Sequence, residues 1–161
     1  MRNVTLCFLF QDNKICLAKK KRGFGVGKYN GVGGKVEEGE SATGGAVREL
    51  YEEVCVRAEE SSLEPVADIT FIFSEKEEWN QRMFVFKIDI FEGVPVETDE
   101  MDPKWFSVDD IPYENMWIDD PYWLPLVLAG KRVKARFVLS SDGSALISKE
   151  VKEVEEITYE N

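Results

Sequence analysis

Residues 4–10 form a nearly unbroken apolar run, and residues 15–18 form a second, shorter one. The polar quartet Gln11-Asp12-Asn13-Lys14 lies between them, so the pattern predicts two strands joined as a hairpin. Residues 69–73 and 82–91 repeat the strand signature on either side of polar residues 74–81. A short strand is expected over 105–108, and a closing hairpin over 133–139 and 145–147 around Ser141-Asp142-Gly143. The spacing turns helical twice. Val47, Leu50 and Val54 recur at i, i+3 and i+7, which predicts a helix over 41–54 with Ser41 as its N-cap. Asp119-Asp120-Pro121 ahead of apolar residues 122–129 and Gly130 carries start and stop signals for a second helix over 120–129. Residues 23–34 hold six glycines in twelve positions, too many for a regular element. That segment is read as a loop that turns tightly or lets something approach its backbone.

Length narrows the architecture: 161 residues suit one domain with its own core. The expected division is a folded domain over 1–148 and an acidic, frayed tail over 149–161. No apolar stretch approaches the length of a membrane span, and residues 1–4 show no secretory leader, so a cytoplasmic protein is expected. Three cysteines, Cys7, Cys16 and Cys55, make an odd set without paired spacing, as suits a reducing compartment. The chain has no histidine, which removes histidine-based triads and imidazole zinc sites. Acid–base chemistry must then come from carboxylates, lysine, tyrosine or metal-bound water. A net charge of −11 argues against a nucleic-acid polymer as partner. It leaves room for a small anion bridged to carboxylates by a divalent cation.

The charge is concentrated in one place. Glu49, Glu52 and Glu53 stand at i, i+3 and i+4 of the first predicted helix, opposite the Val47/Leu50/Val54 stripe. Like charges so placed repel, and a bound cation relieves the repulsion; hard oxygen donors select Mg²⁺, or Mn²⁺ in its place. A merely solvated acidic face fits the helix taken alone.

Gly34, Glu40 and Arg48-Glu49-Leu50-Tyr51-Glu52-Glu53 match the Nudix box, G-x5-E-x7-R-E-U-x-E-E-x-G-U with U aliphatic, at every spacing. The one departure is Cys55, which stands where the box has its second glycine, the residue that normally closes the helix in a left-handed turn. The chain is therefore identified as resembling the Nudix hydrolases. Beyond the box, Lys20-Lys21-Arg22-Gly23-Phe24-Gly25, Tyr29-Asn30-Gly31, Asp99-Glu100-Met101 and Trp117-Ile118-Asp119-Asp120 resemble the eukaryotic MutT homologues of that family, which act on oxidised purine nucleoside triphosphates. The resemblance implies an α/β fold, an α/β/α sandwich with a mixed curved sheet. It also implies a metal held by Glu49, Glu52, Glu53, Glu100 and the Gly34 carbonyl, with Glu40 supporting. Arg48 would orient the glutamates, and Glu100 would bind metal or help activate water. Lys20 would lie near the substrate, and Thr5 would line its pocket.

Oxidised guanine presents several N–H donors, so a site that reads it needs acceptors in a dry, flat slot. Asp119, Asp120 and Asn30 offer those acceptors. Phe24, Phe71, Phe73, Met101, Trp117 and Trp123 offer flat or apolar walls. Adjacent aspartates in such a slot should titrate as a coupled pair with one proton held to higher pH. A site offering both acceptor and donor would admit 2-hydroxy-dATP as well as 8-oxo-dGTP. Plainer readings stand beside these: Asp120 as a helix cap, Asn30-Gly31 as a tight turn, the phenylalanines as core, Lys20 and Arg48 as surface charges. Gln81 stands where the family has a methionine, which puts selectivity over ordinary dGTP in question. The expected activity is hydrolysis of oxidised purine triphosphates to the monophosphate and pyrophosphate by a monomer. The rivals are the same chemistry on dNTPs or ADP-ribose, and a non-catalytic nucleotide sensor.

Overall fold

The computed structural model describes residues 1–159. The elements are β1 (Arg2–Gln11), β2 (Lys14–Lys20), β3 (Tyr29–Asn30), α1 (Ala42–Val54), β4 (Glu64–Phe73), β5 (Gln81–Ile88), β6 (Met101–Ser107), α2 (Asp120–Leu128), β7 (Arg132–Leu139) and β8 (Leu146–Val154). The strands form one mixed sheet in the order β3-β2-β1-β5-β4-β7-β8, with β6 also paired to β2. β1 runs parallel to β5, and β4 parallel to β7; the remaining pairs are antiparallel.

Alternation along β1 sorts its side chains between two cores. Leu6 and Phe8 join the core under α2, with Trp123, Leu124 and Val127. Cys7 and Leu9 join the core under α1, with Ala42, Ala46, Leu50 and Val54. A sheet covered on both faces by helices is the expected α/β/α sandwich. Val47 of the expected stripe is only partly buried at the edge of its core. The hairpin between β1 and β2 turns through Asp12 and Asn13, both with positive φ (50° and 65°), in keeping with the mirror-image turns that match strand twist.

Ser41 caps α1 as expected, accepting the Gly44 N–H at 3.0 Å. At the other end Cys55 adopts the left-handed conformation (φ 62°, ψ 28°) and its N–H reaches the Tyr51 carbonyl. Cysteine thus closes the helix in the left-handed conformation expected of the box glycine.

Three expectations are corrected. β5 ends at Ile88 and not at residue 91, and Ile90 beyond it is 72% exposed. β4 begins at Glu64, ahead of residue 69, because the β5 and β7 ladders on its two sides continue past the apolar run. The strand β8 runs to Val154, so residues 149–154 are paired and not frayed. Backbone hydrogen bonding to β7 is indifferent to the acidic side chains there. Residues 160–161 of that tail lie outside the described residues.

Past β8 the chain reaches the α1 side of the sheet, where Tyr159 packs on Phe84 (4.5 Å between ring centres) and Phe86 (5.2 Å). Its hydroxyl sits where β4 and β5 lose register between Pro65 and Ala67. There it donates to the Ala67 carbonyl and accepts the Val85 N–H at 3.1 Å. Among the described residues no helix is long and apolar enough to cross a membrane.

Candidate active site

The glycine-rich segment lies directly against β1. Val32 and Cys7 exchange backbone hydrogen bonds at 2.6 and 2.9 Å, and the Thr5 N–H donates to the Gly34 carbonyl at 2.8 Å. A side chain at Gly33 would begin 1.9 Å from the Thr5 carbonyl oxygen, and one at Gly34 would begin 2.6 Å from the Glu49 carboxylate carbon. Backbone leaves no room for a Cβ at Gly33, whereas at Gly34 a Cβ would displace the end of the Glu49 side chain.

Gly33 ties this segment to α1: its N–H donates to Glu53 Oε1 at 3.0 Å. Burial, and then the charge of Glu49, push the Glu53 carboxyl up to about 7. Lys20 and Glu100 also act on it. Glu49 is likewise pushed up, chiefly by burial. Arg48 gathers the outer carboxylates. It grips Glu40 through two contacts, 2.7 Å from Nε and 2.9 Å from Nη2. Its Nη1 reaches Glu49 at 3.0 Å and Glu52 at 3.1 Å, and Nη2 also donates to the Lys35 carbonyl. The guanidinium holds Glu40 down at about 2. The box arginine therefore orients three of its glutamates, as the resemblance implies.

Glu49 and Glu53 turn toward Gly33 and Gly34, while Glu52 is mostly exposed and shares the Arg48 Nη1 with Glu49. Among the described residues no three acidic, cysteine or histidine side chains converge as a closed ligand set. Glu100 is held in an ion pair with Arg22, which lowers its carboxyl. Its loop is pinned to the end of α1 by Thr98 Oγ1 donating to the Glu53 carbonyl (2.8 Å) and by the Val96 N–H donating to Val54 (3.1 Å).

On the other side of Gly33 and Gly34 a cleft of about 500 Å³ opens into the sheet. Asn30, Asp119, Asp120, Phe24, Lys20, Thr5, Phe71, Phe73, Met101 and Trp117 all line it. Trp123 does not. It is 0% exposed within the core, and its indole N–H donates to Asp119 Oδ2 at 2.9 Å, so it supports a wall and does not form one. Asp119 and Asp120 are each 3% exposed. Both are pushed up by burial, Asp120 further because the charge of Asp119 opposes its ionisation. Asp120 Oδ2 accepts the Trp117 N–H at 3.2 Å, which sets the turn into α2; the helix cap position falls on Asp119, which makes no side-chain capping bond.

Phe24, on the loop closed by the Gly27 N–H donating to the Lys20 carbonyl (2.8 Å), is 53% exposed. It lies between Trp117 (5.1 Å) and Trp79 (5.4 Å). Trp79 and Met83 line the cleft without having been expected there. Gln81, noted only as a departure from the family, lines it too. Period-two alternation along β5 puts Gln81 and Met83 on one face and was the signal available.

A NUDIX domain model matches residues 1–127. The chain is 40% identical over 154 residues to the oxidized purine nucleoside triphosphate hydrolase of Mus musculus, covering 96% of each chain. It is 39% identical, with the same coverage, to the protein of that name in Danio rerio. Among solved structures, a MutT protein from Bacillus halodurans superposes with a TM-score of 0.82 at 26% identity, covering 94% of this chain and 97% of that one.

Proposed function

Because the chain belongs to the Nudix family, we propose that it hydrolyses oxidised purine nucleoside triphosphates, 8-oxo-dGTP first and 2-hydroxy-dATP second, to the monophosphate and pyrophosphate. The observation that carries this reading is the pairing of two sites across one strand of glycines. An aromatic-lined cleft with a buried aspartate pair lies on one side, and crowded, half-buried glutamates lie on the other. The relatives' shared name points to the same substrate class.

Nudix hydrolases use a divalent ion, and the donors here suit one. Glu49 and Glu53 are like charges in partly buried surroundings, and burial together with Glu49 holds Glu53 near 7 when no cation offsets it. Glu49, Glu52, Glu53, Glu100 and the Gly34 carbonyl would hold it, with Mg²⁺ the preferred ion and Mn²⁺ a substitute. Such an ion neutralises phosphate charge and lowers the pKa of water bound to it. The residues do the rest. Asp119 and Asp120 seat the base, and Asn30 adds its amide N–H. Phe24 and Trp117 cover the base face, and Lys20 faces the phosphates. Glu53, with Oε1 engaged by Gly33, has Oε2 available to take a proton from the attacking water. Water adds to phosphorus as the phosphoanhydride bond breaks, and pyrophosphate leaves.

We place this activity in the cytosol, in keeping with three free cysteines, and in a monomer. Steady-state kinetics over oxidised and ordinary dNTPs and ADP-ribose, with wild type and Glu53→Gln side by side, test the proposal. Equal kcat/KM for dGTP and 8-oxo-dGTP would sink the substrate. No pyrophosphate release with either metal would favour a nucleotide sensor.

A further inference from the structure

Most polar groups around the cleft are already committed or offer only one kind of hydrogen bond. Asn30 has its oxygen partly committed, one lone pair accepting the Gly31 N–H at 2.9 Å. The Thr5 hydroxyl proton points to the Gly34 carbonyl. Arg2, Lys20 and Lys28 only donate, as do the two indoles. Asp119 and Asp120 are buried side by side and already accept from Trp123 and Trp117. Gln81 differs from all of these. It pairs across the sheet with Arg2 on one side and Phe71 on the other, both of them cleft residues, and its amide makes no hydrogen bond among the described residues. It is half-buried and supplies an unspent donor and an unspent acceptor together.

Oxidation of guanine at C8 changes one edge of the base. N7 turns from acceptor to N–H donor, and C8 gains a carbonyl acceptor beside it. That adjacent donor and acceptor match the two ends of a primary amide. Ordinary guanine offers N7 alone, next to a C–H, and would leave the amide oxygen without a partner, which weakens binding by the worth of a hydrogen bond and its desolvation. Resting on the oxidised-purine reading above, we propose that Gln81 is a specificity-determining residue. Its amide oxygen accepts from N7–H and its amide N–H donates to the C8 oxygen, while the aspartate pair reads the opposite edge of the base.

The proposal separates two substrates that the aspartates alone do not. 8-oxo-dGTP carries the altered imidazole edge; 2-hydroxy-dATP is altered only on the ring edge that faces the aspartates. Gln81→Leu keeps the bulk and removes both hydrogen bonds. We expect it to lower kcat/KM for 8-oxo-dGTP about tenfold, mainly through KM. Its rates on dGTP and 2-hydroxy-dATP, whose N7 can use only the amide N–H, should fall less than that on 8-oxo-dGTP, and its melting midpoint reports the fold of the variant. If Gln81→Leu fails to fold, Gln81→Asn, one methylene too short to reach, should show the same selective loss. An unchanged 8-oxo-dGTP to dGTP ratio, or an equal fall on all three nucleotides, overturns the assignment. A wild type that does not distinguish 8-oxo-dGTP from dGTP defeats the underlying substrate reading instead, and the proposal with it.

Discussion

Arg48 and Glu40 are joined by a two-point contact, Nε to Oε2 at 2.7 Å and Nη2 to Oε1 at 2.9 Å, across the loop that leads into α1. This fork fixes the guanidinium so that its remaining N–H groups reach Glu49 and Glu52. Lysine keeps the charge and loses the fork. Arg48→Lys should therefore cost only about 1 kcal/mol of stability after solvent screening, yet lower kcat/KM at least about tenfold through misplaced glutamates. Glu40 is held at about 2, below its ordinary 4.5. Its contribution is present above the ordinary value and lost as pH falls through the lowered one. Thermal melts down an acid series should show that loss in wild type and not in Glu40→Gln.

Glu53 is stabilised poorly by the metal-free protein, since burial and Glu49 both disfavour its charge. A raised carboxyl contributes fully below its unfolded value of 4.5, and that contribution is lost as pH climbs through about 7. Glu53→Gln keeps an oxygen for the Gly33 N–H and has no charge to bury. Above neutrality, in the absence of metal, it should melt roughly 3 °C higher than wild type, about 1 kcal/mol, while losing hydrolysis by at least about a hundredfold. A variant that is both inactive and less stable would show that Glu53 is structural.

The aspartate pair makes binding depend on pH. Asp119 and Asp120 are both raised above 3.8, so the proton-holding form is complete below that value and is lost as pH rises through the raised ones. In wild type, KM for 8-oxo-dGTP should increase toward alkaline pH. Asp120→Asn presents a donor at every pH and should flatten that increase. It should also shift the ratio of guanine to adenine lesions hydrolysed; a ratio unmoved in both Asp119→Asn and Asp120→Asn counts against the pair as the base reader.

Cys55 occupies a left-handed position (φ 62°) at the end of α1. Glycine reaches that conformation without the Cβ clash. Cys55→Gly should gain about 1 kcal/mol, seen as a midpoint shift in urea, with kcat unchanged because no ligand is displaced.

Tyr159 joins strands where their own ladder is interrupted. Tyr159→Phe removes the hydroxyl, keeps the ring on Phe84 and Phe86, and leaves the Ala67 carbonyl and the Val85 N–H short of a partner. A loss of about 1–2 kcal/mol is expected. Hydrogen exchange should report it as faster exchange at Val85, with the cleft unaffected.

Much of this was legible in the chain because its signals are local. The Ser41 cap, the Asp12-Asn13 turn and the i, i+3, i+4 glutamates each need only a few consecutive residues to be read. What escaped depends on distant neighbours. The ion pair of Glu100 with Arg22 spans 78 positions, and the anchorage of Tyr159 at Ala67 spans 92. Trp123 looked like a pocket wall because an aromatic beside two aspartates resembles one; only the packing of α2 on the sheet turns it into the core behind Asp119. Glu52 was grouped with its neighbours by helical angle alone, which does not reveal that Arg48 competes for it. The length of β8 was missed because its ladder is made by backbone while its charged side chains suggested solvent.

Residues 30–34 connect the cleft to the glutamates, and β1 and β2 hold this stretch along its length. Extended chain advances about 3.3 Å per residue, so the four steps from Asn30 to Gly34 set a spacing of roughly 13 Å. The segment thus works as a ruler graduated in backbone. On the proposed activity, a nucleotide should be accepted when the span from its base to its scissile phosphate fits that length. Inserting one residue here would leave both ends of the site chemically intact and no longer in step.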